Sequence, residues 1–153
     1  MLLSGNDDAK RILVFNWTTM AYTLQASHLS GDRSNGACAI LKGFNGETWV
    51  AIAGGRLAGI EVWNPADGSV TTLNSTFPLA DAQNPGMIAV NGNTELILYE
   101  SSSSVDNPKG IWKFSQVTNL WTKIGEMMTE KSSFSALAVD GIICPSPNTN
   151  LVF

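Results

Sequence analysis

"VAIAGGRLAGIEVWNPADGSVTTL", residues 50–73, sets a pair of glycines between two short apolar runs and an Asp-Gly turn after the second. A glycine pair can cradle a phosphate, but such loops open a helix or carry a Lys-Ser/Thr pair after the last glycine, and neither accompanies Gly54 and Gly55. The next apolar run is Ile60-Glu61-Val62-Trp63, alternating, β-branched and aromatic, and stopped by Asn64-Pro65. That pattern is a strand. Gly54 and Gly55 are therefore expected to form a structural turn between strands, where positive φ or a close backbone approach excludes a side chain.

The same pattern recurs along the chain. "ILVFNWTTMAYTL" (12–24), "IEVWNPADGSVTTL" (60–73) and "IWKFSQVTNLWTKI" (111–124) align on Phe15, Trp63 and Phe114. Each has an Ile three residues before the aromatic and a large residue, Tyr22, Val70 or Trp121, seven after it. Turn-forming residues lie between, so each block reads as a β-hairpin. Downstream, "GACAIL" (36–41), "GMIAV" (86–90) and "SALAV" (135–139) recur with Ala39, Ala89 and Ala138 spaced by 50 and 49 residues. Turn signals come next, then "TWVAIAGG" (48–55) and "ELILYESS" (95–102). One unit thus holds four short antiparallel strands, and no segment sustains a helical period.

Four strands in about 50 residues is the period of a kelch-type propeller blade. The chain resembles the kelch repeats: a strand ending in a diglycine, a strand with an aromatic, and a Trp a short way on. The match is closest in residues 48–73, with Gly54-Gly55 and Trp63, although Val70 stands at the second aromatic position. The unit from Glu95 keeps Phe114 and Trp121 but has Ser101-Ser102 near the diglycine, and the first unit has Ser4-Gly5, Phe15 and Tyr22. The expected fold is all-β, a kelch-type β-propeller segment of about three blade-equivalents of four antiparallel strands in one domain, 1–153. The repeat units are approximately 1–30 (partial), 31–80, 81–131 and 132–153 (partial). Innermost strands crowd towards the propeller axis, so small and branched residues should alternate there with both faces packed. Ala37, Ala39, Ala89, Ala136 and Ala138 interleave with Cys38, Ile40, Ile88, Val90, Leu137 and Val139 accordingly.

Residues 1–5 match the end of a second strand and 148–153 the start of one. Propellers close with roughly 4 to 8 blades, so the remainder is expected from a longer chain or from a second copy of this chain, and the strand edges left unpaired favour the longer chain.

A net charge of -4 with dispersed acids and bases points away from nucleic acid and from an anionic membrane surface. No apolar run reaches the roughly 18 residues of a spanning helix. Cys38 and Cys144 lie in no CxxC pattern and read as buried small hydrophobes, so neither a metal nor a cofactor is expected. Asn16-Trp17-Thr18 and Asn74-Ser75-Thr76 are N-glycosylation sequons and tilt localisation slightly towards the outside of the cell. The lone His28 falls in the 26–35 connection and reads as a solvated loop residue. Asp7-Asp8 reads as a solvated tip, and Ser101 to Ser104 as a flexible turn.

The resemblance implies a non-enzymatic protein-interaction scaffold with a protein or peptide partner. The alternatives are a fragment of a secreted propeller enzyme whose catalytic residues lie outside this chain, or an extracellular structural component. In a four-stranded meander the longer connections share one face, and in kelch proteins that face commonly holds the partner. On it Arg33, Arg56 and Lys109 are the partner-binding candidates, arginine because its planar fork can grip a carboxylate with two hydrogen bonds.

Overall fold

The computed structural model describes residues 2–3, 10–33, 36–55, 57, 59–73, 85–99, 110–127, 135–139 and 142–146, with 2–3, 135–139 and 142–146 traced by their backbone. These residues form antiparallel strands in four sheets. The first contains β1 (Leu2–Leu3), β2 (Arg11–Asn16) and β3 (Ala21–His28). The second contains β4 (Gly36–Lys42), β5 (Thr48–Gly54), β6 (Ile60–Trp63) and β7 (Val70–Thr72). The third contains β8 (Gly86–Val90), β9 (Glu95–Tyr99), β10 (Gly110–Ser115) and β11 (Leu120–Glu126), and the fourth β12 (Ser135–Val139) and β13 (Ile142–Ser146). Every sheet is a meander in which sequence neighbours pair.

The repeat seen in the sequence is a repeat of hydrogen-bond register. Phe15 pairs with Tyr22, Trp63 with Val70 and Phe114 with Trp121. The residue five after each aromatic has positive φ: Met20 at 53°, Gly68 at 75° and Asn119 at 54°. That left-handed residue closes each hairpin, and its N–H reaches back to the residue after the aromatic, as in Gly68 N–H to Asn64 O at 2.8 Å and Asn119 N–H to Ser115 O at 2.8 Å. Side chains open the turns too: Asn16 Oδ1 accepts from Thr18 N–H at 2.9 Å, and Asn64 Oδ1 from Ala66 N–H at 3.0 Å.

Alternation along the strands gives the first three sheets two apolar faces, and these stack in chain order. Ile12 and Leu29 pack with Ile52 and Trp63 between the first and second sheets. Ala51, Ala53, Ile60 and Val62, on the opposite face of the second sheet, pack with Met87, Leu96, Leu98 and Phe114 of the third. Ile88, Ile97 and Tyr99 gather on the far face of the third sheet, with Ile111 and Met127 against them. The first strands of successive sheets lie side by side, β4 against β8 and β8 against β12. Lys42 N–H donates to Asn93 O at 2.7 Å and ties the hairpin edges of the second and third sheets.

Four expectations change. The second strand of the last unit is β13, at 142–146, and 148–153 lies outside the described residues. The Val139/Ile142 pairing leaves too short a turn for the strand to start later. The first strand of the third sheet, β8, is packed on both faces, but β4, the first strand of the second, alternates between packed Ala37, Ala39 and Leu41 and exposed Cys38 and Ile40. Among the described residues the first sheet has no strand beyond β1 to lie against β4. Cys38 is accordingly exposed rather than buried. His28 ends β3, paired across to Arg11, rather than lying in the connection.

Candidate functional site

At the connection edge of the second sheet, β5 ends in Gly54 and Gly55, with φ of 81° and 72°. A Cβ on Gly55 would stand 2.4 Å from Arg33 Cα and 2.6 Å from Arg33 C, so the chain entering β4 passes where a side chain would be. Both causes anticipated for the diglycine, positive φ and close backbone approach, operate at Gly55.

The Arg33 side chain turns inward from that crossing. Its Nε donates to Glu61 Oε2 at 2.8 Å, and its Nη1 donates to the carbonyls of Gly54 at 2.9 Å, Leu57 at 3.2 Å and Gly59 at 3.2 Å. The other carboxylate oxygen, Glu61 Oε1, accepts from Ser30 N–H at 2.6 Å. Arg33, expected to present its fork to a partner, instead grips a carboxylate of its own chain and is buried. The physical reason is that the end of β5 and the turn after it bring the carbonyls of Gly54, Leu57 and Gly59 within reach of one guanidinium, which carries enough donors to bind them and Glu61 together. Arg56, Lys109 and Asn74 lie outside the described residues, as do Asp7, Asp8 and Ser101 to Ser104. Asn16 is exposed at the end of β2 with its side-chain oxygen engaged in the hairpin turn.

The opposite, hairpin edge carries a feature that the pattern of charged loop residues did not single out. Trp17 is 79% exposed and Met20 73% on the first sheet, Phe44 67% on the second, and Val117 88% and Leu120 63% on the third. Each stands in a turn or at its margin, and the turn that carries Phe44 is held by Gly43 N–H to Glu47 O at 2.7 Å and Gly46 N–H to Gly43 O at 3.0 Å. The signal was in the sequence: a large apolar residue between turn formers has no core to enter. Phe44 is further held by an edge-to-face contact with Trp49, ring centroids 5.3 Å apart.

A second apolar surface lies on the flank of the first sheet. Cross-strand pairs share a face, so Leu13 with Leu24 and Phe15 with Tyr22 form the side turned away from the second sheet. The rings of Phe15 and Tyr22 are 4.8 Å apart, and Tyr22 and Leu24 are 59% and 49% exposed. Cys38 and Ile40 on β4, cross-strand partners of Ile52 and Val50, are exposed on the face of the second sheet turned toward the first. Desolvation by the surrounding strands raises the Cys38 thiol pKa above its ordinary value, and burial likewise raises that of the Tyr99 hydroxyl. Among the described residues no three His, Cys, Asp or Glu side chains gather as a metal site requires.

No family model matches the chain, and no curated protein matches it. Solved structures do match. The structure of YjhT superposes with a TM-score of 0.54 at 14% identity, over 87% of this chain and 53% of that one. The chain spans about half the length of that protein, and the likeness is one of fold.

Proposed function

We propose that this chain is a segment of a kelch-type β-propeller that acts as a non-enzymatic protein-interaction scaffold. The propeller reading is supported by stacked meanders, two of them four-stranded, whose first strands, β4, β8 and β12, run side by side as strands around a common axis do. The scaffold reading is carried by one observation: rigid hairpins hold large apolar side chains in water at the ends of three successive sheets. Aromatic anchors on a fixed framework are what a protein interface uses, because little side-chain entropy is lost on binding. Trp17 and Phe44 are the central anchors, and Arg56 and Lys109, which the sequence assigns to the longer connections, are the second candidates for docking a protein or peptide.

Photo-crosslinking separates the two faces. With a benzophenone side chain in place of Phe44, or of Lys109, the chain should crosslink a discrete protein in cells of its source, and excess unlabelled chain should compete. Crosslinking from position 44 alone assigns the hairpin face, from 109 alone the connection face. No competed product from either position removes the scaffold reading.

A further inference from the structure

Asn16 closes β2 opposite Ala21, and its side-chain oxygen is committed to the hairpin turn, accepting from Thr18 N–H at 2.9 Å and from Thr19 N–H at 3.2 Å. A carboxamide is planar, so holding its oxygen against the turn sends its nitrogen out along the other branch. Because Asn16 is exposed, that branch lies in water. Residues 16–24 are exposed without interruption, so nothing among the described residues closes over the tip of this hairpin.

The turn accounts for the asparagine but not for the hydroxyl two residues on. In the second sheet Asn64 stands at the same register, directly after the aromatic that pairs across the hairpin, and its oxygen accepts from Ala66 N–H at 3.0 Å. With alanine in that place, the turn draws only on the backbone N–H. The third sheet closes the same hairpin with Ser115 and Val117 at the two places. Thr18 thus carries an exposed hydroxyl for which the hairpin has no use. A hydroxyl two residues after an accessible asparagine is what transfer of an N-linked glycan requires, provided the residue between is not proline. Trp17 meets that condition, whereas Pro65 and Ala66 deny it to Asn64 on both counts.

We propose that Asn16 Nδ2 carries an N-linked glycan, donated by a lipid diphosphate oligosaccharide of the secretory pathway. The bond from the sugar C1 to the diphosphate oxygen breaks and C1 bonds to Nδ2. One Nδ2 proton is lost and the lipid diphosphate departs, with no change of oxidation state. The oxygen keeps both its hydrogen bonds through this step, because only the nitrogen reacts, so the hairpin and its glycan coexist. The first sugar then stands beside Trp17, next in the chain and itself exposed, and narrows the approach to that anchor. The glycan is held whether or not a partner docks.

Mass spectrometry of the protein from its source tests the site. N-glycosidase F in heavy-oxygen water turns a glycosylated asparagine into labelled aspartate, and the label is expected at Asn16 and not at Asn64. A second measurement separates acceptor from fold. With Asn74→Gln, Asn16 heads the one sequon left, and the chain is expressed behind a cleavable secretory signal. One glycan, removed by N-glycosidase F, should show on gels of lysate and medium. Because transfer does not await folding, the lysate reports on the site even for a chain that fails to leave the cell. Asn16→Gln and Thr18→Ala should each abolish the shift, and Thr18→Ala should leave the thermal midpoint of the deglycosylated chain unchanged, since Ala66 serves the equivalent turn. An unlabelled Asn16 in the source protein, a parent without the shift, or a shift that survives either substitution would overturn the proposal.

Discussion

Arg33 and Glu61 form an ion pair of 2.8 Å in which neither side chain is more than 2% exposed, at the join between the first and second sheets. Removing one partner strands the other charge in the interior, a change that costs about 3–5 kcal/mol in comparable buried pairs. Glu61→Ala should lower the unfolding free energy by that amount, read from the midpoint and slope of urea denaturation. Arg33→Ala should cost at least as much, because three carbonyls lose their donor with it. The pair replaced together by Met and Leu should recover part of the loss, measured as the coupling term of a double-mutant cycle.

Gly55 and Gly92 separate conformational strain from steric exclusion. Both have positive φ, 72° and 63°, but a Cβ on Gly92 meets nothing within 4 Å while one on Gly55 meets the Arg33 backbone. Gly92→Ala should therefore cost about 1 kcal/mol, the left-handed penalty alone. Gly55→Ala should cost clearly more, and Gly55→Val more again. Equal losses at the two glycines in thermal melts would refute the close approach as a cause.

Met20 bears the same left-handed turn that Gly68 and Asn119 bear in the other sheets, without the residue type that suits it. Met20→Gly or Met20→Asn should stabilise the chain by about 0.5–1 kcal/mol, read as a higher unfolding midpoint. The exposed Met side chain offers no packing to set against that gain.

Asp67 accepts a hydrogen bond from Ser69 N–H at 2.8 Å, and its bonds to Ser69 hold its carboxyl below the ordinary value of 3.8. A group whose folded pKa is depressed contributes stability above its unfolded pKa and loses it as pH falls through the folded value. A carbon-detected titration should place the Asp67 midpoint below 3.8, and Asp67→Asn should lose the carboxylate's contribution at neutral pH and flatten the stability profile on the acid side.

Phe114 and Val117 lie three residues apart on one hairpin and differ wholly in surroundings, fully buried against 88% exposed. Phe114→Ala should cost about 3–5 kcal/mol through the cavity it leaves. Val117→Ala should stay within about 0.5 kcal/mol, so that any effect it has on partner crosslinking reports on contact rather than on folding.

How far the fold could be read in advance depends on where its information lies. The alignment of Ala39 with Ala89 is one residue out, since Ile40 stands where Ala89 does in the register. The spacing of Phe15, Trp63 and Phe114, by contrast, already encodes hairpin register, because alternation and turn chemistry are local. Gly55 was legible for the same reason. Arg33 was not: its charge suggested solvent, and only the backbone crossing at Gly55 brings Glu61 and three carbonyls around it. Cys38 and Ile40 misled in the opposite sense, since their composition suits a doubly packed strand and their exposure depends on the contents of the neighbouring sheet. Trp17 and Phe44 were visible as letters, but their meaning needed the knowledge that the turns around them are rigid.

The second sheet is covered on both faces by described side chains, from the first sheet through Ile52 and Trp63 and from the third through Ala53 and Val62. Its strands cannot separate until an adjoining layer has detached, so its opening is conditional on theirs. In hydrogen exchange the amides of β5 and β6 should be the last to take up deuterium, ahead of them β9 and β10, and earliest of the central strands β2. The molecule would thus come apart from its flanks inward, its middle layer acting as the clock for global unfolding.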